Sequence, residues 1–83
     1  VLSMLHESPE HDWTLDSMAE LAHLSRSAFA LRFVQVVGIP PLTYLTHWRM
    51  AVARNLLAQG QAVKAVASQV GYGNATAFAR AFQ

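Results

Sequence analysis

Three polar residues near the end of the chain, Thr76, Arg80 and Gln83, are spaced so that they share one face of a helix. Arginine can donate two hydrogen bonds to guanine, glutamine can bond adenine in two places, and threonine offers a hydroxyl and a methyl group. The small Ala79 at the side of this face would let the helix backbone come close to a major groove. This pattern favours contacts with base edges, and the alternative is an ordinary solvated helix face.

The same pattern occurs about 50 residues earlier in the chain. Each copy has a residue suited to capping a helix, a phenylalanine four positions later, and a second phenylalanine four positions after that. The corresponding residues are Ser25, Phe29 and Phe33 in the first copy and Asn74, Phe78 and Phe82 in the second. If both phenylalanines of each pair face inward, the opposite face of the first copy carries Ser27, Leu31 and Val34, with Ala30 at its side.

Each copy follows a short apolar stripe with the i, i+3, i+4, i+7 spacing of a helix. The stripes are Leu15, Met18, Ala19 and Ala22 before the first copy and Val63, Val66, Ala67 and Val70 before the second. Thr14 is suited to cap the first of these helices, while Gly38 and Gly71 are suited to end helices. Each stripe together with the copy that follows it therefore predicts a short helix, a tight turn and a second helix, which is the helix-turn-helix arrangement.

A longer helix is predicted between the two copies. It begins at Pro40-Pro41 and extends to about Gln59, where Gly60 ends it. At 1.5 Å per residue it is about 28 Å long, and with the flanking helices it would hold the two copies about 34 Å apart, one turn of B-DNA. Together with a short helix that Pro9 ends, we expect an all-α fold of about six or seven helices, with two helix-turn-helix subdomains joined by a long linker helix.

Composition and charge restrict the classes of protein. The chain has 83 residues, 53% of them hydrophobic and 13% charged, which indicates one globular domain. It contains no cysteine, no apolar run of membrane-spanning length and no basic signal-peptide start, so we expect a cytoplasmic protein. All five acidic residues lie in the first twenty positions, whereas all six Lys and Arg residues follow them. A basic segment without acidic residues suits a polyanionic partner, or it is simply an arginine-bearing surface.

Other residues suggest contacts with phosphates rather than with bases. Arg26 and Arg32 flank the outward face of the first copy, and free backbone N–H groups are expected at the helix starts near Ser25 and Asn74. An enzyme is not expected, because the chain has no thiol, no glycine-rich phosphate loop and no paired acidic motif. No cofactor or metal is expected either. The histidines, including His6 beside Glu7, are interpreted as surface residues rather than metal ligands.

These motifs together resemble the DNA-binding domain of the AraC/XylS family of bacterial transcription regulators. The resemblance extends from about Trp13 to Gln83. It is carried by "LAHLSRSAFALRF" and the following Gly38, by Pro41, "YL", Arg49, Ala53 and "LL" in the linker helix, and by "VASQVGYGNATAFARAF". This combination in this order is far more specific than one helix-turn-helix motif alone.

The resemblance implies double-stranded DNA as the partner, with the two second helices in successive major grooves. Carried over by position, the base contacts fall on Ser27, Ala30 and Leu31 in the first copy and on Thr76, Ala79 and Arg80 in the second. It implies subdomains at 1–38 and 60–83 around a linker helix at 41–59. It also implies RNA polymerase as a further partner, and a separate effector-binding or dimerisation domain in the intact protein. Arg49 is expected to bridge the linker helix to its neighbours.

The sequence also departs from the family pattern. Pro40 and Ala62 stand where capping side chains are common, and Ala30 and Ala79 cannot hydrogen-bond to bases. The family pattern continues beyond Phe82 with another helix, so the C-terminal end is interpreted as truncated and the last helix as less supported. The alternative function is a helical protein-interaction module that uses Leu31 and Val34 for contact. Such a module would show little dependence of binding on salt, unlike a DNA-binding domain.

Overall fold

The computed structural model describes residues 1–82, which fold into six α-helices joined by short turns, with no strand among them. The helices are α1 (Leu2–Glu7), α2 (Leu15–Leu21), α3 (Arg26–Val37), α4 (Pro41–Ala58), α5 (Val63–Gln69) and α6 (Ala75–Phe82). The molecule is elongated, with extents of 39 × 21 × 21 Å. The all-α prediction is confirmed. We call α2 and α3 the first unit, and α5 and α6 the second unit.

Polar side chains cap three of the helices at the residues that the sequence predicts. The Thr14 and Ser17 side chains each accept a hydrogen bond from the other's backbone N–H at 3.0 Å, which closes a capping box at the start of α2. Ser25 accepts from Ala28 N–H at the start of α3. Asn74 accepts from the Ala77 N–H at 2.8 Å at the start of α6. Each cap satisfies a backbone donor that the helix itself leaves free, so the predicted helix starts are confirmed.

The first unit packs with α1 and the beginning of α4 around a first core. Its buried members are Leu5, Trp13, Met18, Ala19, Phe29, Phe33 and Leu45. The Trp13 indole N–H donates to the Ser8 carbonyl oxygen at 2.9 Å, so the one polar group of this buried side chain has a hydrogen-bond partner in the loop between α1 and α2. Both phenylalanines of α3 lie in this core, as the spacing predicts.

The second unit packs against the rest of α4 around a second core. Its buried members are Met50, Ala53, Val66, Ala67, Val70 and Phe78. The long helix therefore contributes Leu45 to one core and Met50 and Ala53 to the other. Because a single uninterrupted helix runs through both cores, it couples the orientation of the two units.

Two residues that the stripes place inside are exposed. Val63 is 48% exposed and Phe82 is 39% exposed. Each lies at one end of its helix, Val63 at the first position of α5 and Phe82 at the last position of α6. The buried faces of α4, α5 and α6 meet around Phe78 instead, and the Phe82 ring packs against that of Phe78 with their centroids 5.4 Å apart. The prediction that both phenylalanines of each pair face inward is therefore wrong for Phe82.

Arg49 connects the two halves of the molecule. From α4 its Nε donates to the Pro9 carbonyl oxygen at 2.8 Å, and its Nη2 donates to the His11 carbonyl oxygen at 2.9 Å. The guanidinium carbon lies 5.7 Å from the ring centre of Tyr72, in the turn of the second unit. The loop before α2 and the turn before α6 are thus held against the same side chain, and the predicted bridging role of Arg49 is confirmed.

Among residues 1–82, no single helix is both long and apolar enough to cross a membrane. By length and composition alone, only α3 and α4 together, bent by 53° at their junction, would pass that test.

Candidate nucleic-acid interface

The outer face of α3, which we call the first reading face, carries Ser27, Ala30, Leu31 and Val34. Phe29 and Phe33 are buried on the opposite side of the helix, which leaves this face to solvent because successive helical residues turn by about 100°. Leu31 is 62% exposed and Val34 is 39% exposed. Ser27 is exposed and Ala30 is half-buried at the side of the face. The centre of this face is therefore apolar, and the exposed Gln35 follows it one turn further along α3.

The outer face of α6, which we call the second reading face, carries Thr76, Ala79 and Arg80. All three are exposed, whereas Phe78 on the opposite side is 2% exposed. Gln83, the remaining residue predicted for this face, lies outside the described residues. The second reading face offers a hydroxyl and a guanidinium group, which can hydrogen-bond to base edges, where the first offers mainly methyl groups.

The residues predicted to contact phosphates lie around the helix starts. Ser25 and Asn74 are both exposed, and each holds the first turn of its helix through a side-chain oxygen. Arg26 Nε lies 3.2 Å from Asp16 Oδ1, with side chains 68% and 74% exposed. An ion pair this open to water is weak, so the arginine remains available to a phosphate. Arg32 is exposed on α3 beside the first reading face.

The charge of the surface is divided along the molecule. The five carboxylates, all in positions 1–20, lie on α1, α2 and the loop between them. Arg49 is half-buried and bound to backbone carbonyls, which removes it from the surface charge. The other five cations, Arg26, Arg32, Arg54, Lys64 and Arg80, are exposed along the remainder of the chain. This arrangement would attract a polyanion to the part of the molecule that follows α2 in the chain.

The histidines do not assemble a metal site within residues 1–82, where no group of three or more potential ligands is found. His6 instead joins α1 to α4. Its Nε2 lies 2.6 Å from the Tyr44 hydroxyl, and its ring centroid is 4.4 Å from that of Trp48. The histidine thus helps to fix the first helix against the linker helix.

One close approach at the centre of the molecule was not predicted from sequence. Gly71 adopts φ +93°, and a Cβ there would lie 3.0 Å from Arg49 Nη2 and 3.1 Å from the backbone Cα of Glu10. A glycine directly after a helix commonly adopts this left-handed conformation, so the backbone of Gly71 could be predicted from its place after α5. The contact of Gly71 with Glu10 could not be predicted from the local sequence, because the two residues are far apart in the chain.

Comparison with known proteins agrees with this architecture. The family model of a helix-turn-helix domain matches residues 18–83. The chain is 43% identical over 83 residues to a protein of Streptomyces antibioticus named as an AraC-like transcription regulator, and 40% identical to the HTH-type transcriptional regulator AlkR of Acinetobacter baylyi. In both cases the match covers 99% of this chain and 27% of the relative, so the chain spans about a quarter of the length of these curated relatives.

A solved structure with a similar fold is the DNA-binding domain of AdpA, a global transcriptional factor, in complex with a target DNA. The two share 27% sequence identity with a TM-score of 0.91, over 98% of this chain and 74% of that chain.

Proposed function

The chain belongs to the AraC-type helix-turn-helix family of DNA-binding transcription regulators, and we propose that it binds double-stranded DNA with α3 and α6 in two successive major grooves. The observation that carries the proposal is that two units with exposed outer faces pack on successive parts of one uninterrupted helix, with Leu45 in the first core and Met50 and Ala53 in the second. The 18 residues of α4 span about 27 Å at 1.5 Å per residue. The distance between adjacent major-groove segments on one side of B-DNA is about 34 Å.

Each face has a distinct role in this proposal. Base contacts come from Ser27, Ala30 and Leu31 in the first unit and from Thr76, Ala79, Arg80 and Gln83 in the second. Phosphate contacts come from Ser25, Arg26, Arg32 and Asn74, which fix the position of the helices without selecting sequence. The free N–H groups at the starts of α3 and α6 add to the attraction for phosphate.

The proposal also divides the chain into subdomains. We assign residues 1–38 and 60–83 to the two DNA-binding subdomains, and 41–59 to the linker helix. The two separate cores and the long helix that enters both of them support this division.

The intact protein would add further parts to this DNA-binding function. We propose that a separate effector-binding or dimerisation domain accompanies this chain, since the match covers only 27% of the relatives. We also propose that the protein acts with RNA polymerase in the cytoplasm, and that it regulates transcription by binding rather than by catalysing a reaction. The membership of the chain in a family of transcription regulators supports these proposals.

The test is selection of bound duplexes from a random pool at two salt concentrations, followed by footprinting. We expect two protected segments on one side of the duplex, one helical turn apart. With four to six phosphate contacts, log affinity should fall with log salt with a slope of about −4 to −5. Arg32→Ala should weaken binding to every duplex equally and reduce the slope by about 1.

The exposed aliphatic residues Leu31 and Val34 favour one second candidate, a helical module that binds another protein. That function would give no footprint and no salt-dependent retention of duplex DNA. A footprint confined to a single groove segment would instead contradict the two-groove arrangement while leaving DNA binding in place.

A further inference from the structure

Leu31 and Arg80 occupy the same position in their units, midway between the two phenylalanines on the opposite side of the helix. From this contrast, and resting on the proposed function, we propose that Leu31 selects the 5-methyl groups of thymine. The first unit would then recognise a half-site by apolar contact, whereas the second recognises guanine through Arg80. The target would be a duplex whose two half-sites differ in chemistry, not a repeat of one sequence.

The exposure of Leu31 is the first part of the argument. It is a large aliphatic side chain, 62% exposed at the centre of a helix that already buries Phe29 and Phe33. In the major groove the thymine methyl is the one apolar group that a base pair presents, while the other groups there are hydrogen-bond donors and acceptors. Contact with leucine stabilises the complex only at the thymine methyl, because a leucine side chain leaves base donors and acceptors without hydrogen-bond partners.

The neighbours of Leu31 point in the same direction. Ala30 is small enough to let the helix backbone come near the base edges. Val34, which is 39% exposed, extends the apolar surface by one turn beyond Leu31. Two exposed hydrogen-bonding side chains accompany Leu31 on this side of the helix, Ser27 one turn before it and Gln35 one turn after it. Arg26 and Arg32 lie at the edges, where phosphates can hold the helix in the groove. At the centre of this face, sequence selection therefore depends on methyl groups rather than on hydrogen bonds.

The second reading face has the opposite chemistry. Arg80 is exposed at the position of Leu31, and Thr76 takes the position of Ser27. A guanidinium group can donate to both O6 and N7 of guanine. Removal of either acceptor should therefore weaken the binding of this unit, and removal of a methyl group should matter little to Arg80.

The experiment uses base analogues in a duplex selected by this protein. In one half-site at a time, thymines are replaced by deoxyuridine, which lacks the methyl group but pairs identically. In parallel, guanines are replaced by 7-deazaguanine, which lacks the N7 acceptor. We expect affinity to fall about fourfold for each contacted methyl in one half-site. We expect about a tenfold fall when the contacted guanine in the other half-site is replaced.

Variants assign each effect to its residue. Leu31→Ala should reduce the response to deoxyuridine in the half-site of the first unit and keep the response to 7-deazaguanine, while Arg80→Ala should remove the response to 7-deazaguanine and keep that to deoxyuridine. The matched control is Val36→Ala, which removes an aliphatic side chain 74% exposed on α3 but away from the first reading face. This variant should respond to both analogues as the unchanged protein does.

The outcomes separate the two levels of the proposal. If no duplex is selected over random sequence, the proposed DNA-binding function fails and the inference fails with it. If selective binding persists but deoxyuridine has no effect in either half-site, Leu31 does not recognise methyl groups. The same conclusion follows if deoxyuridine weakens Leu31→Ala as much as the unchanged protein, because another residue would then make the contact.

Discussion

The second helices of the two units share a polar cap and the spacing of their phenylalanines, but the units distribute arginine in opposite ways. In the first unit, Arg26 and Arg32 flank a reading face centred on Leu31; in the second, the corresponding flanks are Ala75 and Ala81, and the centre is Arg80. Arginine at the edge of a recognition helix meets phosphates, and arginine at its centre meets bases. One backbone arrangement can therefore favour anchoring in one copy and base selection in the other.

The units also differ in how well they are packed. In the first, α1 and the Trp13 loop enlarge the core, and Phe29 and Phe33 are 5% and 7% exposed. In the second, Phe78 is 2% exposed but Phe82 is 39% exposed at the end of α6. One buried phenylalanine therefore holds α6, whereas two hold α3. A similar repeat in sequence does not imply an equal contribution to stability.

The largest predicted effect tests this difference in packing. Phe33→Ala and Phe78→Ala should each lower the free energy of unfolding by about 3–5 kcal/mol, because each leaves a cavity in its core. Phe82→Ala should cost only about 1–2 kcal/mol, since its ring covers that of Phe78 from outside. Urea unfolding followed by circular dichroism measures all three. A loss for Phe82→Ala as large as that for Phe78→Ala would show that the second unit buries its pair as the first does.

The next effect compares two glycines with the same backbone conformation. Gly38 and Gly71 have φ of +98° and +93°, but an added Cβ meets nothing within 4 Å at Gly38 and crowds Arg49 and Glu10 at Gly71. Gly38→Ala should therefore cost about 1 kcal/mol from backbone strain alone. Gly71→Ala should cost about 2–3 kcal/mol, because the neighbouring backbone must also move. Equal losses in urea unfolding would mean that the contact between the two halves is loose.

Exchange of the central residues tests the division of recognition between the units. Arg80→Leu should cost about 1–3 kcal/mol in binding to a duplex with the preferred guanine and should relax selection at that position. Leu31→Arg should introduce a preference for guanine in the other half-site. Repeated selection with each variant measures both changes. Uniform weakening of Arg80→Leu on all sequences would place this arginine on a phosphate instead.

The smallest effect concerns the turns of the two units. His23, in the turn of the first unit, has φ 57°, in the left-handed region where Gly71 lies in the second turn. A non-glycine residue there is strained by about 1–2 kcal/mol, and glycine recovers most of this at an entropic cost. His23→Gly should therefore raise the free energy of unfolding by about 0.5–1 kcal/mol. A decrease would mean that the histidine side chain makes a stabilising contact that outweighs the strain.

Much of the fold could be predicted because its signals are local. Thr14, Ser25 and Asn74 bond to N–H groups three positions further on, so the residue type and its place before an apolar stripe suffice to predict the helix starts. The outward position of Leu31 and Arg80 follows from helical geometry once the phenylalanines are taken as buried. The specific contacts of Arg49 could not be predicted, because it bonds to Pro9 and His11 some 40 positions away in the chain.

By itself the sequence determined the helices, their caps, the repeat and the chemistry of the two reading faces, because each depends on residues within one or two helical turns of each other. Only the tertiary structure decided that Phe82 and Val63 stay exposed, that α4 serves two cores, and that Arg49 joins both halves. These features depend on which helix ends meet in space. A periodic pattern specifies which side of a helix is apolar, but the packing of the neighbouring helices determines how far along that side burial extends.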